Sequence, residues 1–214
     1  MKTFLYILFL CCLPVCSFAE MIQDIEWSDL IPRQYQDADP VASLTEEERQ
    51  QVEWNIYLRQ NPESKIDKRN QAFLDEMTAA LPQLEKKGID VDKIIAGRQM
   101  QKTALNEELN GKRVRLGGYL LPLEQTGKEI REFLLVPYVG ACIHVPPPPP
   151  NQIVHGISEK PITYAMDDMF KPVAATGRLR AKSGRKSLFL RDGASDVEIG
   201  YVMEVEAVEK YTKP

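Results

Sequence analysis

The chain has 214 residues, of which 43% are apolar and 27% are charged. This balance is typical of a folded globular protein and argues against a disordered one. The formal net charge of -4 argues against a strongly basic nucleic-acid reader. A single long apolar run, at the N-terminus, argues against a protein with several membrane spans. Composition alone names no reaction, so the function has to be sought in short motifs.

Residues 1–19 have the three parts of a secretory signal peptide. Lys2 provides the positive charge, Phe4–Val15 forms the apolar run, and Ser17–Ala19 places small residues before a cleavage site. We therefore predict cleavage before Glu20 and export of the remaining chain. The alternative is a single membrane anchor, for which the run is shorter than the roughly 20 apolar residues that cross a bilayer.

The predicted cleavage leaves one cysteine in the exported chain. Cys11, Cys12 and Cys16 lie in the signal peptide, so only Cys142 is kept. Lipid attachment at a signal cysteine is the alternative, although none of the three follows the small residue of a typical lipoprotein signal. A lone cysteine cannot form an internal disulfide. The Cys142 thiol must therefore be buried, bound to metal, paired with another chain or available for reaction.

The region 20–105 is predicted to be an N-terminal segment followed by helices. Ser43–Glu46 and Thr45–Glu48 both have the spacing of a capping box, which indicates a helix start. A second helix is predicted over about Lys68–Lys87, with Gly88 as its C-terminal cap. Apolar residues recur within it at helical spacing: Phe73, Met77, Leu81 and Leu84. The segment before the helices is predicted to pack against the main body of the protein through the apolar side chains of Trp27, Leu30 and Ile31.

The region 106–214 has the patterning of β-structure. Strands are predicted over Val114–Leu123, Glu132–Tyr138, Val173–Arg180, Lys186–Leu190 and Tyr201–Val208. Short strands with glycine bends and no alternating helices favour a small OB-like β-barrel over a parallel sheet. The predicted fold class is therefore α+β, with a helical N-terminal region packed on the barrel.

A run of five prolines follows a short motif that contains the cysteine. Proline fixes φ and lacks an N–H, so the run is predicted to form a polyproline II rod. The rod and its neighbours form a candidate interaction surface: Tyr138, Pro146, Pro147, Pro148, Pro149, Pro150, Asn151 and Gln152. The alternative for such a run is an exposed spacer.

Cys142, His144 and His155 are the sole cysteine and both histidines of the predicted exported chain. In an extended chain, Cys142 and His144 point to the same face. A thiolate and an imidazole on one face suit zinc or copper, with His155 as the third metal ligand. They also suit a nucleophile with its base. A buried cysteine beside a hydrogen-bonded histidine is the third interpretation, and the residues leave all three open.

Basic residues cluster around Ser183–Gly184. The cluster is predicted to be a solvated loop tip, with contact to an anionic partner as the alternative. Its members are Arg178, Arg180, Lys182, Arg185 and Lys186.

The sequence contains no Gly-x-Ser-x-Gly, phosphate-binding glycine loop or His-Glu-x-x-His, so no established catalytic signature is present.

Several stretches of the chain resemble the DUF3299 family, bacterial exported proteins of unknown function. The resemblance is carried by Phe133–Tyr138, Gly140–His144, Pro146–Gln152, Gly111–Tyr119 and the motif that begins at Trp27. It implies a periplasmic or lipoprotein-like protein. Some members are encoded beside a MacB-like ABC transporter and a periplasmic metal-binding protein in zinc-responsive gene sets. The resemblance thus implies a role in envelope metal homeostasis or in a transport assembly.

The leading hypothesis is a periplasmic, non-enzymatic binding or accessory protein without a membrane span in its exported part. Its Cys142–His144 edge and polyproline rod would contact zinc, or a transporter or periplasmic partner, and not nucleic acid. The second hypothesis is a thiol-dependent enzyme for redox or acyl-transfer chemistry, with Cys142 activated by His144. The third is a structural or interaction protein in which the block is a buried brace.

Overall fold

The computed structural model describes residues 21–36, 41–62, 71–124, 127–141, 147–190 and 193–211. At positions 166, 167, 189, 190 and 193–195 it describes the backbone alone. It combines a six-stranded sheet with helices, a mixture of α and β structure as predicted. Within the described ranges, none of the helices is long and apolar enough to cross a membrane.

The six strands form one sheet in which sequence order and spatial order differ. The strands are β1 (Gln23–Ile25), β2 (Arg113–Pro122), β3 (Glu129–Val136), β4 (Val154–Thr163), β5 (Val173–Leu190) and β6 (Gly193–Lys210). Their spatial order is β1-β2-β3-β4-β6-β5, and β2 also pairs with β5. The pairs β1–β2 and β4–β6 are parallel, whereas the other pairs are antiparallel. The pairings therefore pass from β2 through β3, β4, β6 and β5 back to β2.

The helices lie mainly between β1 and β2 in the chain. They are α1 (Arg33–Gln36), α2 (Glu46–Gln60), α3 (Gln71–Ala79), α4 (Leu81–Lys86) and α5 (Val91–Thr103). Short 3-10 helices cover Trp27–Leu30, Glu107–Leu109, Pro150–Gln152 and Met166–Phe170. α2, α3 and α4 correspond to predicted helices, whereas α1, α5 and the 3-10 helices were not predicted. α5 has few apolar residues after its first turns and therefore lacks a clear helical pattern.

The helix ends agree with the local signals. Thr45 caps α2, and the reciprocal bonds with Glu48 confirm the second of the two capping boxes. The predicted helix over 68–87 is two helices, with residues 68–70 outside the described part and a break at Ala80. Gly88 has φ +82°, and the Gly88 and Ile89 amides donate to Glu85 and Leu84. These bonds form a Schellman motif, so the predicted cap is confirmed.

Two buried apolar clusters lie on opposite faces of β3. Phe133 and Leu135 belong to the first cluster, together with Leu120, Val154, Tyr164, Leu179, Tyr201 and Met203. Leu134 and Val136 belong to the second cluster, together with Leu121, Leu123, Ala141, Ile153, Leu188, Val197 and Ile199. Successive side chains of a strand point to opposite faces. The strand predicted from an apolar run is therefore buried on both faces.

The N-terminal segment is fastened to the sheet by buried side chains. The Trp27 indole donates to the Gly117 carbonyl at 2.7 Å, and Leu30 is fully buried. The Tyr201 hydroxyl donates to the Leu30 carbonyl at 2.6 Å and accepts from the Asn106 amide. The packing predicted for Trp27 and Leu30 against the main body is thus confirmed, and Ile31 is half-buried.

The basic cluster lies within a strand, so the prediction of a loop tip is wrong. β5 runs without a break from Val173 to Leu190 and replaces the two predicted strands. Its pairing with β6 shifts register between Ala181 and Gly184. Arg180 pairs with Glu204 at 2.9 Å, and Arg185 pairs with Glu198 at 3.0 Å. The residues Ser183–Gly184 therefore interrupt the ladder locally without turning the chain.

Candidate functional site

The central part of the predicted site lies outside the described residues. This part comprises Cys142, His144 and Pro146. The structure does describe both of its flanks. Tyr138 and Val139 are 42% and 46% exposed before it, whereas Ala141 is fully buried in the second cluster. After it, Pro147 is exposed, and Pro148 is buried.

The end of the proline run is held by the rest of the protein. Pro149 has φ -54° and ψ 150°, close to polyproline II, but Pro150 already begins a 3-10 helix. Asn151 is fully buried, and its amide nitrogen donates to the carbonyls of Gln101 at 2.8 Å and Ala104 at 3.0 Å. These bonds join the proline run to the last turn of α5.

Gln152 extends this attachment to the N-terminal segment. Its amide nitrogen donates to the Trp27 carbonyl at 2.9 Å. A Cβ atom on Gly200 would lie 2.8 Å from the Pro150 oxygen and 2.9 Å from the Asn151 Cα, so the β6 backbone packs directly against the run. Asn151 and Gln152, predicted as interaction residues, thus make contacts within the chain.

His155 is a buried residue of β4 with a defined acidic partner. It lies opposite Leu134 of β3, on the face of the second cluster, and its side chain is 2% exposed. His155 Nε2 is 3.0 Å from Glu132 Oε2. The same carboxylate oxygen is 3.5 Å from Lys186 Nζ. Three strands thus contribute one side chain each to a His155–Glu132–Lys186 group.

The surroundings of His155 favour its neutral form. Burial lowers the pKa of the imidazole, and the positive charge of Lys186 lowers it further. Glu132 acts in the opposite direction but is outweighed. Since an ionised carboxylate only accepts hydrogen bonds, the geometry assigns the proton to Nε2 and a lone pair to Nδ1. A neutral imidazole with a free nitrogen is the form that binds metal ions.

Glu132 and Lys186 are site residues that the sequence interpretation missed. Glu132 was the first residue of a predicted strand, and its alternation with Leu134 places both on one face. No strand was predicted at His155, so nothing paired the two elements. Among the residues that the structure describes, no group of three or more His, Cys, Asp and Glu side chains converges on a metal position. His155 thus lies in the described part without the other two predicted ligands.

The lowered pKa of His155 predicts a stability that decreases in acid. Below about pH 6.5, the ordinary histidine value, the unfolded chain binds a proton that the folded chain resists. The free energy of unfolding contributed by His155 is therefore fully present above that pH and is lost as the pH falls toward the lowered folded value. Urea denaturation across this range, in the presence of a chelator, measures the slope.

The variant His155→Gln is expected to flatten this slope, because glutamine can still donate to Glu132 and does not titrate. His144→Gln is the matched control, since His144 is the other histidine of the chain. An unchanged slope in His155→Gln would assign the pH dependence to other groups.

Comparison with known proteins finds similarity to one family. The family model of DUF3299, described as a protein of unknown function, matches residues 27–210. The crystal structure of a DUF3299 family protein from Pseudomonas aeruginosa PAO1 is similar, with 25% sequence identity and a TM-score of 0.49. That match covers 91% of this chain and 99% of the other. No curated protein matches the chain.

Proposed function

This chain belongs to the DUF3299 family of proteins of unknown function, and we propose that it is an exported periplasmic protein that binds a transition metal ion. Zinc is the ion that we favour, and Cys142, His144 and His155 are the proposed ligands. The observation that carries the proposal is a shared anchorage. Both flanks of the segment with Cys142 and His144 are fixed on the buried cluster beside His155.

The anchorage is made by two residues of the second cluster. Ala141 precedes the segment and Ile153 follows it, and both are fully buried there. Leu134, the cross-strand neighbour of His155, belongs to the same cluster. Fixing both ends of a short segment lowers the entropic cost of bringing its side chains together at a ligand. This arrangement favours binding of a ligand at this edge of the sheet.

His155 would contribute Nδ1 as its ligand atom. Glu132 holds the Nε2 proton, which is the arrangement that many histidine ligands have with a carboxylate behind them. A cysteine thiolate and two imidazoles, with water in a fourth position, match the preferences of zinc. The bound ion would supply a soft, tetrahedral centre, and Glu132 would keep the imidazole in the tautomer and orientation that it requires.

The remaining features of the proposal concern fold, location and partner. We infer an OB-like barrel from the cycle of pairings that returns β5 to β2, with β4 and β6 parallel. Export rests on the signal-like residues 1–19. Tyr138 and Val139 precede the proline run in the sequence and are exposed, and we infer that they form an apolar edge suited to an envelope transporter or another periplasmic protein.

Metal analysis of the chain without residues 1–19 tests the binding proposal. After treatment with a chelator, the protein is incubated with zinc or copper, desalted and analysed by mass spectrometry for bound metal. We expect about one ion per chain. Cys142→Ala and His144→Ala should lose it, because each removes a ligand.

Val139→Ala is the control, since it changes an exposed side chain without donor atoms next to the same segment. The proposal would be wrong if the unsubstituted protein retained no more zinc or copper than Cys142→Ala.

A further inference from the structure

A cavity lies at the end of the sheet where β5 begins and β6 ends. We propose that the cavity there binds the alkyl chain of a carboxylate amphiphile, with Lys210 pairing with the carboxylate. The cavity has a volume of about 420 Å³, which is within the range of small-molecule sites. Its lining shares no residue with the proposed metal ligands, so this inference is independent of the proposed function.

The walls of the cavity are aliphatic and continuous with the protein core. Leu120 and Tyr164 form its floor and belong to the first cluster. Ile162, Val173 and Val208 are half-buried against that cluster and line the sides. An alkyl chain in this position would remove apolar surface from water on several sides at once, which is the main source of affinity for such ligands.

The connection between β4 and β5 is short and covers the end of the first cluster only in part, which leaves the cavity. It contains one turn of 3-10 helix, Met166–Phe170, before Lys171 and Pro172 lead into β5. Phe170 is 56% exposed on this connection. Pro172 is fixed in place, since its carbonyl accepts from the Tyr211 amide at 3.1 Å. A single turn of that length leaves the end of the first cluster open.

Two of the charges at the mouth of the cavity neutralise each other. Asp168 Oδ1 is 2.8 Å from Lys171 Nζ, and Asp168 Oδ2 accepts from the Ala165 amide at 2.7 Å. The Tyr164 hydroxyl is also engaged, because it donates to the Leu120 carbonyl at 3.3 Å. These groups have partners and are poor candidates for ligand recognition.

Lys210 is the charge that remains for a ligand. It lies directly opposite Val173 in the β5–β6 ladder and two residues after Val208, so it shares the cavity face with both. Glu209 also lines the cavity, although it lies opposite Ala174 and the alternation of β6 turns its side chain toward the other face. Among the described side chains, none forms an ion pair with Lys210.

The ligand class is defined by the aliphatic walls and by an ammonium group that has no ion-pair partner among the described side chains. A single anionic group at the end of an alkyl chain matches it, because the chain occupies the apolar volume and the carboxylate stays at the mouth beside Lys210. A phosphate carries nearly two negative charges at neutral pH, more than the single ammonium group of Lys210 neutralises, whereas one carboxylate matches it. We therefore assign the site to an alkyl carboxylate.

The inference is tested by calorimetry, in which dodecanoate is titrated into the protein that comprises residues 20–214. Dodecanoate should bind with a stoichiometry of one, and dodecyltrimethylammonium should bind more weakly because its charge meets Lys210. Lys210→Gln should weaken dodecanoate by roughly tenfold, the usual effect of losing a hydrogen bond to a charged group. Lys182→Gln, an exposed lysine on β5 outside the cavity lining, should leave the affinity unchanged.

A second variant tests the cavity itself. Val208→Trp fills the volume and should abolish dodecanoate binding, whereas Ile22→Trp adds a similar bulk at a position that is 44% exposed and outside the cavity lining. Circular dichroism establishes that both variants are folded, and Ile162→Phe replaces Val208→Trp if that protein is not. Equal binding to the filled and unfilled cavities would overturn the site. Tighter binding of the cationic amphiphile, or an unchanged affinity in Lys210→Gln, would overturn the assignment of a carboxylate.

Discussion

Gly177→Ala is expected to lower the free energy of unfolding by about 3 kcal/mol or more, at the upper end of the range for an overpacked core site. Gly177 lies in β5 where its pairing with β6 shifts register after Thr176. A Cβ atom at this position would lie 2.2 Å from the Glu204 oxygen and 3.0 Å from the Met203 Cγ. The nearest atom belongs to the backbone, so relief requires the two strands to separate. Urea denaturation of the variant measures the loss.

Gly184→Ala provides the matched control for this prediction. Gly184 lies at the second register shift of the same strand pair, but a Cβ there would lie 3.5 Å and 3.6 Å from two Ile199 side-chain carbons. These are ordinary contacts. We expect a change within a few tenths of a kcal/mol, since alanine also restricts the unfolded chain. Equal losses for the two variants would contradict the steric explanation.

Asn151→Asp is expected to be the most damaging single change in the proline block, with a loss of about 2–4 kcal/mol. The substitution keeps the shape of the side chain but replaces the amide donor by an acceptor. The donor bonds two carbonyls, of Gln101 and Ala104, in a fully buried position. A carboxylate there would face two oxygens without a proton to share. Thermal or urea unfolding measures the loss, which should be larger above neutral pH than in acid.

Asn110→Asp is the corresponding control. The Asn110 side-chain oxygen accepts from the Ala181 amide at 3.2 Å, and a carboxylate can accept the same bond. This variant should therefore remain close to the unsubstituted protein in stability. A similar loss in both variants would show that the added charge, and not the lost donor, determines the result.

The parts of the fold that could be predicted from the sequence depend on neighbouring residues. The Thr45–Glu48 capping box acts over one helical turn, and the Gly88 cap follows from the glycine conformation that ends a helix. The apolar run of β3 predicted burial on both faces. In each case the stabilising contacts lie within a few positions of the pattern itself.

The parts that could not be predicted depend on distant pairing. β4 contains Gly156 and Pro161, which ordinarily mark loops, and its place is set by pairing with β3 and β6. The Glu132–His155 contact requires that pairing and spans 23 positions. In α3, Phe73 belongs to the predicted apolar face but is 40% exposed, with its ring edge-on to Trp54 of α2, whereas Leu74 is buried.

The burial of β3 on both faces creates a difficulty for correct folding. In most strands, sliding by one position would expose apolar side chains to water and be rejected for that reason. Within Phe133–Val136, however, sliding by one position would exchange one apolar face for the other. The Phe133 ring lies over Gly156, where a Cβ would come within 2.5 Å of it, so the bulky ring fits the one residue of β4 that lacks a side chain. This steric fit, rather than hydrophobic burial alone, therefore selects the correct register of β3 over one displaced by a single position.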